Sequence, residues 1–409
     1  MRLIRFSKSS GKILLAASAS LVAWRLVASP SPDQDKLVAA NTAFAFDLMN
    51  RVTQAQPDAN VFISPFSVSS ALQLTANGAV GETKNEMQQV LKTAGLSAAS
   101  LNAACKVLDQ QFAARPDVTL NLANGLWFQK GFHLKPAFVA DNKNFFQAEL
   151  AGVDFDNPQS AKTINAWADD KTRGKIKEVI QFPFPPLTRL ILANAIYFKG
   201  KWIAPFEKRA TRPRDFHLAN RQTKPAPMMF KQGDFAFQEN PEFQAVKLFY
   251  RGGLQMELFL PETNSNPATL LAGLAGNETR RADIQNGFNL REGSIILPKF
   301  KIEYQTRLNE PLQALGMKNA FAAAADFSGI ANERLFISEV KQKSFVDVNE
   351  EGTEAAAVTT VTMTALAARR SPPDSFTMIL DRPFFFVISD VSTGSILFMG
   401  VVNDPASGN

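Results

Sequence analysis

Apolar and polar positions in residues 33–409 repeat with a helical period early in the chain and a strand period later. Helical spacing predicts helices over residues 36–54, 68–77, 82–91, 101–112, 164–180 and 308–315. Strand-length runs predict strands over residues 120–128, 190–198, 229–237, 243–250, 255–260, 294–298, 335–340 and 384–388. A short strand ends before Pro65, and Ser67 is the predicted N-cap of the helix that follows. Helices that come before most of the strands indicate an α+β fold.

The remaining segment, residues 1–32, has a different pattern. It carries five basic residues and no acidic one, followed by an apolar run over residues 13–24. This layout is typical of a secretory signal, and the run is too short for a comfortable membrane span. We therefore expect residues 1–32 to be a signal peptide with a short linker, and the product to be secreted or periplasmic. An uncleaved membrane anchor and a disordered basic arm are the alternatives.

The number of domains and the net charge are interpreted differently once residues 1–32 are excluded. The chain has 409 residues, which suggests two or three domains. No repeat, long linker or low-complexity tract divides residues 33–409, however, and we predict one domain there. The net charge is +6 for the whole chain but +1 for residues 33–409. The basic clusters at residues 171–177 and 208–224 are interpreted as solvated faces, and we expect no nucleic-acid partner.

Residues suited to catalysis are scarce. The chain has one cysteine and two histidines, Cys105, His133 and His217. It contains no nucleophile elbow, no HExxH, no phosphate loop and no dinucleotide fingerprint. The helical spacing around Cys105 favours a small core residue over a nucleophile. We therefore expect a protein that is not an enzyme and that uses no metal and no cofactor.

One segment near the C-terminus does not resemble an ordinary loop. Residues 353–364 contain a single charge, no glycine and no proline, and six of the seven residues from 358 to 364 are β-branched. This composition strongly favours a strand. With a period of two, Thr353, Ala355 and Ala357 share one face, and Glu354 lies on the other. Such a segment is an aggregation hazard unless a place in a sheet awaits it.

This segment and several others resemble one protein family, the serpins. The matching motifs occur in order along residues 36–405. They are NVFISPFSVS at 60–69, NAIYFKGKW at 194–202, LPKFK at 297–301, LGM at 315–317, AF at 320–321, DFS at 326–328, VNEEGTEAAA at 348–357, DRPFFF at 381–386 and FMGVVN at 398–403. Each is short, but together they are specific. The weak glycosylation signal and the absence of disulfides suggest a bacterial exported member.

The resemblance implies a fold and a mechanism. The fold is a single domain with three β-sheets, eight or nine helices and a mobile reactive-centre loop near the C-terminus. The mechanism is suicide inhibition, in which a serine protease, or alternatively a cysteine protease, cleaves the loop and is trapped when the loop enters the main sheet. The implied hinge consists of Glu350, Glu351, Gly352, Thr353, Glu354, Ala355, Ala356 and Ala357. A monomer is expected, with no stable membrane association after processing.

Counting along the hinge predicts the cleaved bond. The seventeenth residue from Glu350 is Leu366, followed by Ala367. A bond after leucine suits a chymotrypsin-like or elastase-like protease. Arg369 and Arg370 are alternative positions, and they would attract a trypsin-like or cysteine protease.

The hinge composition favours an inhibitor over a non-inhibitory carrier or chaperone, because the inserting stretch holds no proline and no bulky residue. The resemblance also implies a sheet-opening region that includes Ser64, Ser67, Asn194 and Trp202. Many serpins have a histidine eight residues before the hinge glutamate, and this chain has Gln342 there. An amide can donate and accept, so the hydrogen-bond network can persist without pH sensitivity.

Overall fold

Four helices begin at a proline that follows a serine or asparagine N-cap. The side chains of Ser31, Ser64, Asn157 and Asn266 accept hydrogen bonds from the first-turn amides of their helices. This pairing satisfies an otherwise free N–H, and the proline contributes a pre-set backbone angle. The local sequence thus fixes where these helices start. The computed structural model describes residues 31–353 and 375–407.

The described residues contain nine α-helices, which agrees with the expected eight or nine. They are α1 (Pro32–Ala55), α2 (Pro65–Ala76), α3 (Gly81–Val90), α4 (Ala98–Ala113), α5 (Pro136–Phe146), α6 (Pro158–Lys171), α7 (Pro267–Leu274), α8 (Glu278–Asn286) and α9 (Asn309–Ala314). None of them combines the length and apolarity that a membrane span requires.

The described residues also contain fifteen β-strands. Helices precede most of these strands, so the α+β class is confirmed. They are β1 (Val61–Ile63), β2 (Val118–Gln129), β3 (Glu149–Val153), β4 (Leu190–Lys201), β5 (Arg212–His217), β6 (Thr223–Glu239), β7 (Phe243–Phe249), β8 (Leu254–Pro261), β9 (Asn289–Pro298), β10 (Phe300–Arg307), β11 (Glu339–Asn349), β12 (Gly352–Thr353), β13 (Phe376–Ile379), β14 (Phe384–Asp390) and β15 (Ile396–Val402).

Nine of these strands belong to one hydrogen-bonded sheet, and eight of them lie on one continuous path. Its order is β1-β15-β14-β8-β7-β6-β9-β13, and β5 pairs with β6 outside that path. The long strand β6 belongs to two sections, because it pairs with β7 near one end and with β5 and β9 along the rest. Together with the separate six-stranded sheet, these two sections form the three sheets expected from the sequence.

The six-stranded sheet has the order β10-β11-β12-β4-β2-β3. Strand β11 pairs antiparallel with β10, and β4 pairs antiparallel with β2. Between these two pairs, β11 and β4 run parallel to each other. The short strand β12 enters at one end of this parallel pair. The sheet is therefore closed along most of its length and parted at one end.

Aromatic side chains fill the space between the two sheets. The Phe62 ring stacks on Phe398 with centroids 5.2 Å apart, and Phe398 also contacts Phe198 of β4. All three side chains are fully buried. Burial of one such ring contributes about 2 kcal/mol. This core supports β4, one of the two strands of the parallel pair, from behind.

Two local predictions are wrong. Helix α2 is capped by Ser64 and not by Ser67, because Pro65 opens the helix and does not end a strand. The predicted helix over 164–180 is also displaced: α6 begins at Pro158 and ends at Lys171. Arg173 and Gly174 both have positive φ, which ends the helix.

Candidate functional site

The hinge enters the six-stranded sheet between β11 and β4. Gly352 pairs with Asn349 on one side and with Lys201 on the other, and Thr353 pairs with Val348 and Gly200. Both contacts of β12 are antiparallel. Gly352 and Thr353 of the predicted hinge are therefore part of the sheet already, and Glu350 and Glu351 form the turn that leads into it. Glu354, Ala355, Ala356 and Ala357 lie outside the described residues.

Gly352 occupies a position that no larger residue fits. Its φ is +154°, and a Cβ added there would lie 2.1 Å from the carbonyl oxygen of Gly200. Such a contact is far below any allowed separation, and the conflicting atoms belong to the backbone. The glycine lets the chain turn tightly out of β11 and enter beside β4.

Thr353 is anchored by an aromatic pair behind the sheet. Its hydroxyl lies 2.7 Å from the Tyr250 hydroxyl, and both groups are fully buried. Burial raises the pKa of Tyr250 far above its usual value, against the smaller effect of this hydrogen bond. The phenol therefore stays neutral. Trp202 stacks on Tyr250 with ring centroids 4.1 Å apart, and its indole N–H donates to the Asn349 carbonyl.

Two ion pairs hold the acidic residues of the hinge. Lys299 contacts the Glu350 carboxylate at 2.9 Å, and the Thr211 hydroxyl donates to its other oxygen at 2.8 Å. Burial alone would raise the pKa of Glu350, but the hydrogen bonds from Lys299 and Thr211 together lower it. Lys208 forms a 2.6 Å contact with Glu351. Glu350 therefore remains ionised at neutral pH, and its charge is paired.

Main-chain hydrogen bonds also hold Glu350 and Glu351 in place. The amide of Trp202 donates to the Glu351 carbonyl at 3.0 Å, and the amide of Phe206 donates to the Glu350 carbonyl at 2.8 Å. The segment after β4 thus holds the hinge through its main chain. These bonds define where β12 begins, independently of the side chains.

Beyond β12, the parallel pair of β11 and β4 is closed over seven residue pairs. The register runs from Glu339 opposite Ile191 to Phe345 opposite Tyr197. Any extension of β12 beyond Thr353 has to separate these pairs, because both strands already use these edges. Each strand would regain partners from the new strand, so the exchange conserves backbone hydrogen bonds. We call this closed pair the seam.

Buried polar side chains cross the seam at its centre. The amide of Gln342 donates to the Asn194 side-chain oxygen at 2.7 Å and to the Ser64 carbonyl at 3.1 Å. Its oxygen accepts from the Ser64 amide at 2.9 Å. Gln342 faces Asn194 directly in the register of β11 and β4. One side chain thus ties both strands to the start of α2.

A second amide continues this network into β2. Asn194 donates to the Ser67 hydroxyl and, at 2.6 Å, to the side-chain oxygen of Asn124. Asn124 in turn donates to Ser70 at 3.3 Å. We call Gln342, Asn194 and Asn124, with Ser64, Ser67 and Ser70 of the capped helix α2, the polar row. Asn124 was not predicted from the sequence, although an asparagine within the apolar alternation of residues 120–128 is a usable signal.

The structure separates the predicted sheet-opening residues into two groups. Ser64, Ser67, Asn194 and Gln342 come together in the polar row. Trp202 does not join them: it lies with the hinge, eight residues further along the chain from Asn194, or about 26 Å at strand spacing. The candidate site therefore has two parts. Near Trp202, β12 lies between β11 and β4, and around Gln342, β11 and β4 pair directly with each other. The reactive-bond residues Leu366, Ala367, Arg369 and Arg370 lie outside the described residues.

The residues with catalytic potential are not brought together. Cys105 is buried, and burial followed by the charge of Asp109 raises the pKa of its thiol well above the usual value. His133 and His217 are exposed, and neither contacts Cys105. Within residues 31–353 and 375–407, no cluster of three metal-ligating side chains occurs. The site therefore provides a place for a strand between β11 and β4 and does not present an activated nucleophile.

Comparison with known proteins agrees with this geometry. Residues 39–405 match the family model described as Serpin (serine protease inhibitor). The leukocyte elastase inhibitor of Bos taurus is 39% identical over 386 residues, covering 91% of this chain and all of that protein. An uncharacterized serpin-like protein of Thermococcus kodakarensis is 38% identical, covering 91% of this chain and 86% of that protein.

Solved structures give the same result. Serpin48 of the insect Tenebrio molitor superposes with a TM-score of 0.81 at 30% identity, covering 91% of this chain and 99% of that one. Human thyroxine-binding globulin, solved as a complex with thyroxine, superposes with a TM-score of 0.81 at 28% identity, covering 91% of this chain and 99% of that one. The fold thus occurs both in Serpin48, described as a highly specific serpin, and in a thyroxine-binding globulin.

Proposed function

This chain belongs to the serpin family, and we propose that it is a suicide inhibitor that traps a serine protease by inserting its cleaved loop into the seam. The observation that carries the proposal is the position of β12, with Gly352 and Thr353 already paired between β11 and β4. The seam continues directly from that point. The residues after Thr353 are small and uncharged apart from Glu354, so they suit entry into a sheet.

The chemistry of the trap belongs to the protease. Its serine attacks the carbonyl carbon of the reactive bond, and an acyl-enzyme forms as the new amine leaves with the C-terminal fragment. Cleavage frees the hinge side of the loop to extend β12. Twelve residues at strand spacing cover about 40 Å, which is the scale of the domain. The attached protease is then carried along the sheet and distorted before it hydrolyses the ester.

We propose Leu366–Ala367 as the reactive bond. The count from Glu350 supports it, and so does the name of the bovine relative, leukocyte elastase inhibitor. Elastase-like and chymotrypsin-like proteases accept a leucine before the cleaved bond. Arg369 and Arg370 remain the alternative, with a trypsin-like or cysteine protease as the target.

A protease panel tests inhibition. The whole chain is incubated with neutrophil elastase, chymotrypsin and trypsin, and SDS-stable complexes are measured by gel electrophoresis. We expect a covalent complex with elastase or chymotrypsin, at a stoichiometry near one. Leu366→Pro should abolish that complex, because proline before the bond blocks acylation. If every protease only nicks the loop, the chain is a non-inhibitory serpin, a carrier or chaperone, and the proposal fails.

Export is the second part of the proposal. The basic and apolar layout of residues 1–32 supports a cleaved signal, and the small net charge of the remainder suits a secreted monomer. N-terminal sequencing of the protein recovered from the medium or periplasm tests this. A mature chain that begins between residues 20 and 33 is expected, and a chain retaining Met1 within the cell would contradict export.

A further inference from the structure

A cavity of about 340 Å³ lies beside the six-stranded sheet. It is bounded by α4, by the first half of β2, by the end of α5 and by the end of α6. Its apolar wall consists of Phe112, Leu120, Leu122 and Phe146. The volume falls within the usual range of small-molecule sites.

Asp109 lines this cavity and also a smaller one next to Cys105 and Gln73. Among the described residues, none gives its carboxyl a hydrogen bond or an ion pair, and desolvation alone raises its pKa to about 7. The Asp109 side chain is half-buried, so its carboxyl is partly removed from water without a protein donor, and a donor that reached it would recover part of that cost. The proposed inhibition makes no use of this group.

The strand edge next to the cavity is open. Strand β3 pairs only with Gly125–Gln129 of β2, so the edge from Val118 to Asn124 has no neighbouring strand within the part of the chain that the structure describes. Carbonyl groups along such an edge are free to accept hydrogen bonds. They supply acceptors beside the carboxyl of Asp109.

The charged groups around the cavity are few. On α4, the neighbouring Cys105 thiol has a raised pKa and stays neutral. At the mouth, Asp170 and Lys171 lie 3.8 Å apart and offset each other, and Arg173 adds one positive charge. An ionised Asp109 is therefore the negative end of the cavity, opposite a positive mouth.

We propose that this cavity binds a small amphipathic amine. The ammonium group bonds to the Asp109 carboxylate and to carbonyls of the open β2 edge, and the apolar ring or chain packs against Phe112, Leu122 and Phe146. The carboxylate selects the amine over a neutral or acidic analogue of the same shape. This site adjoins Asn124 of the polar row.

Isothermal titration of the whole chain at pH 8 tests the site with three probes of one shape. These are 2-phenylethylamine, 2-phenylethanol and 3-phenylpropionate. We expect saturable one-to-one binding of the amine, and affinities at least about tenfold weaker for the alcohol and the acid, because only the amine pairs with a carboxylate. Asp109→Asn should weaken amine binding by at least about tenfold, and Arg173→Gln should tighten it.

The pH dependence gives a test that needs no variant. With a pKa of about 7, the ionised fraction of Asp109 falls from about nine-tenths at pH 8 to about one-tenth at pH 6. The affinity of the wild-type chain for the amine should fall about tenfold over that range. Asp170→Asn is the matched control and should keep this dependence. Absence of saturable binding, equal binding of the alcohol or the acid, or an affinity equal at both pH values would overturn the proposal.

Discussion

Gln342 joins three parts of the molecule through one side chain. Its amide reaches Asn194 across the seam, and both its polar atoms bond to the backbone of Ser64 at the start of α2. All of these groups are buried. Removing one partner from a buried network costs about 1–3 kcal/mol for each group left unsatisfied. We therefore expect the side chain at position 342 to affect how firmly the seam is closed.

Gln342→His should make the stability of the protein depend on pH. A neutral imidazole can donate to Asn194 and accept from the Ser64 amide, but an imidazolium cannot accept. Burial also lowers the pKa of such a histidine below its unfolded value of about 6.5. Stability is then complete above that value and falls as the pH drops below it, by up to about 1.4 kcal/mol per pH unit.

Urea unfolding of this variant and of the wild type between pH 5 and pH 8 measures the effect. The difference between the two proteins isolates residue 342, because all other titrating groups are shared. Parallel stability curves for the two proteins would show that the side chain does not sense its partners in the polar row.

Gly352→Ala should displace the hinge from the sheet. The added Cβ would overlap the Gly200 carbonyl at 2.1 Å, and neither backbone can move aside cheaply. We expect a lower urea midpoint and faster proteolysis near Glu351. The matched control is Gly233→Ala, since Gly233 has a φ of +159° but no atom within 4 Å of the added Cβ. Equal effects of the two substitutions would mean that backbone strain alone, and not the close approach to Gly200, sets the cost.

At the scale of elements, the seam between β11 and β4 is the feature that the sequence predicted least. Residues 190–198 form a continuous apolar run and lie within β4, because a central strand is covered on both faces. The strand predicted over 335–340 overlaps β11 by only two residues. The inward positions of β11 include Gln342 and Ser344, so buried polar residues replace the hydrophobic signal of the strand. The parallel pairing also joins distant segments, which local periodicity cannot reveal.

The residues of the candidate site, too, could be predicted from the sequence only in part. Motifs predicted the hinge and most of the polar row by residue, because glycine, serine and asparagine recur there at fixed spacing. The separation of Trp202 from the polar row was not predictable, since it follows from the register of β4 against its neighbours. Asn124 joins the row because the register of β2 places it opposite Asn194, within reach of Ser67 and Ser70 of α2.

Ala355→Arg should convert the inhibitor into a substrate. Thr353 points inward to Tyr250, and alternation along a strand places Ala355 on the same face. A buried, unpaired guanidinium at this position opposes insertion of the loop. The protease then hydrolyses the acyl-enzyme before insertion can distort its active site. The stoichiometry of inhibition should rise several-fold, with nicked chain replacing the covalent complex on gels.

Ala356→Arg is the matched control, because the same charge then falls on the opposite face of the strand. We expect it to inhibit far better than the Ala355 variant. Full inhibition by Ala355→Arg would contradict insertion of this segment into the seam.

At the scale of the whole molecule, the low net charge of residues 33–409 and the scarcity of catalytic residues are both consistent with the proposed function. Nearly all of the net charge lies in residues 1–32, and the remainder is close to neutral. The described residues bring no nucleophile and base together. The proposed inhibition needs no such pair, because the protease supplies the catalytic step and the chain supplies a sheet that would accept one more strand.

The mass of the covalent complex and of the fragment released from it tests this account most directly. After reaction with elastase or chymotrypsin, mass spectrometry should find a fragment of residues 367–409 and a complex of the protease with the chain ending at Leu366. Fragments that begin after Arg369 or Arg370 would contradict the assigned bond. Cleaved chain without any covalent complex would contradict trapping itself.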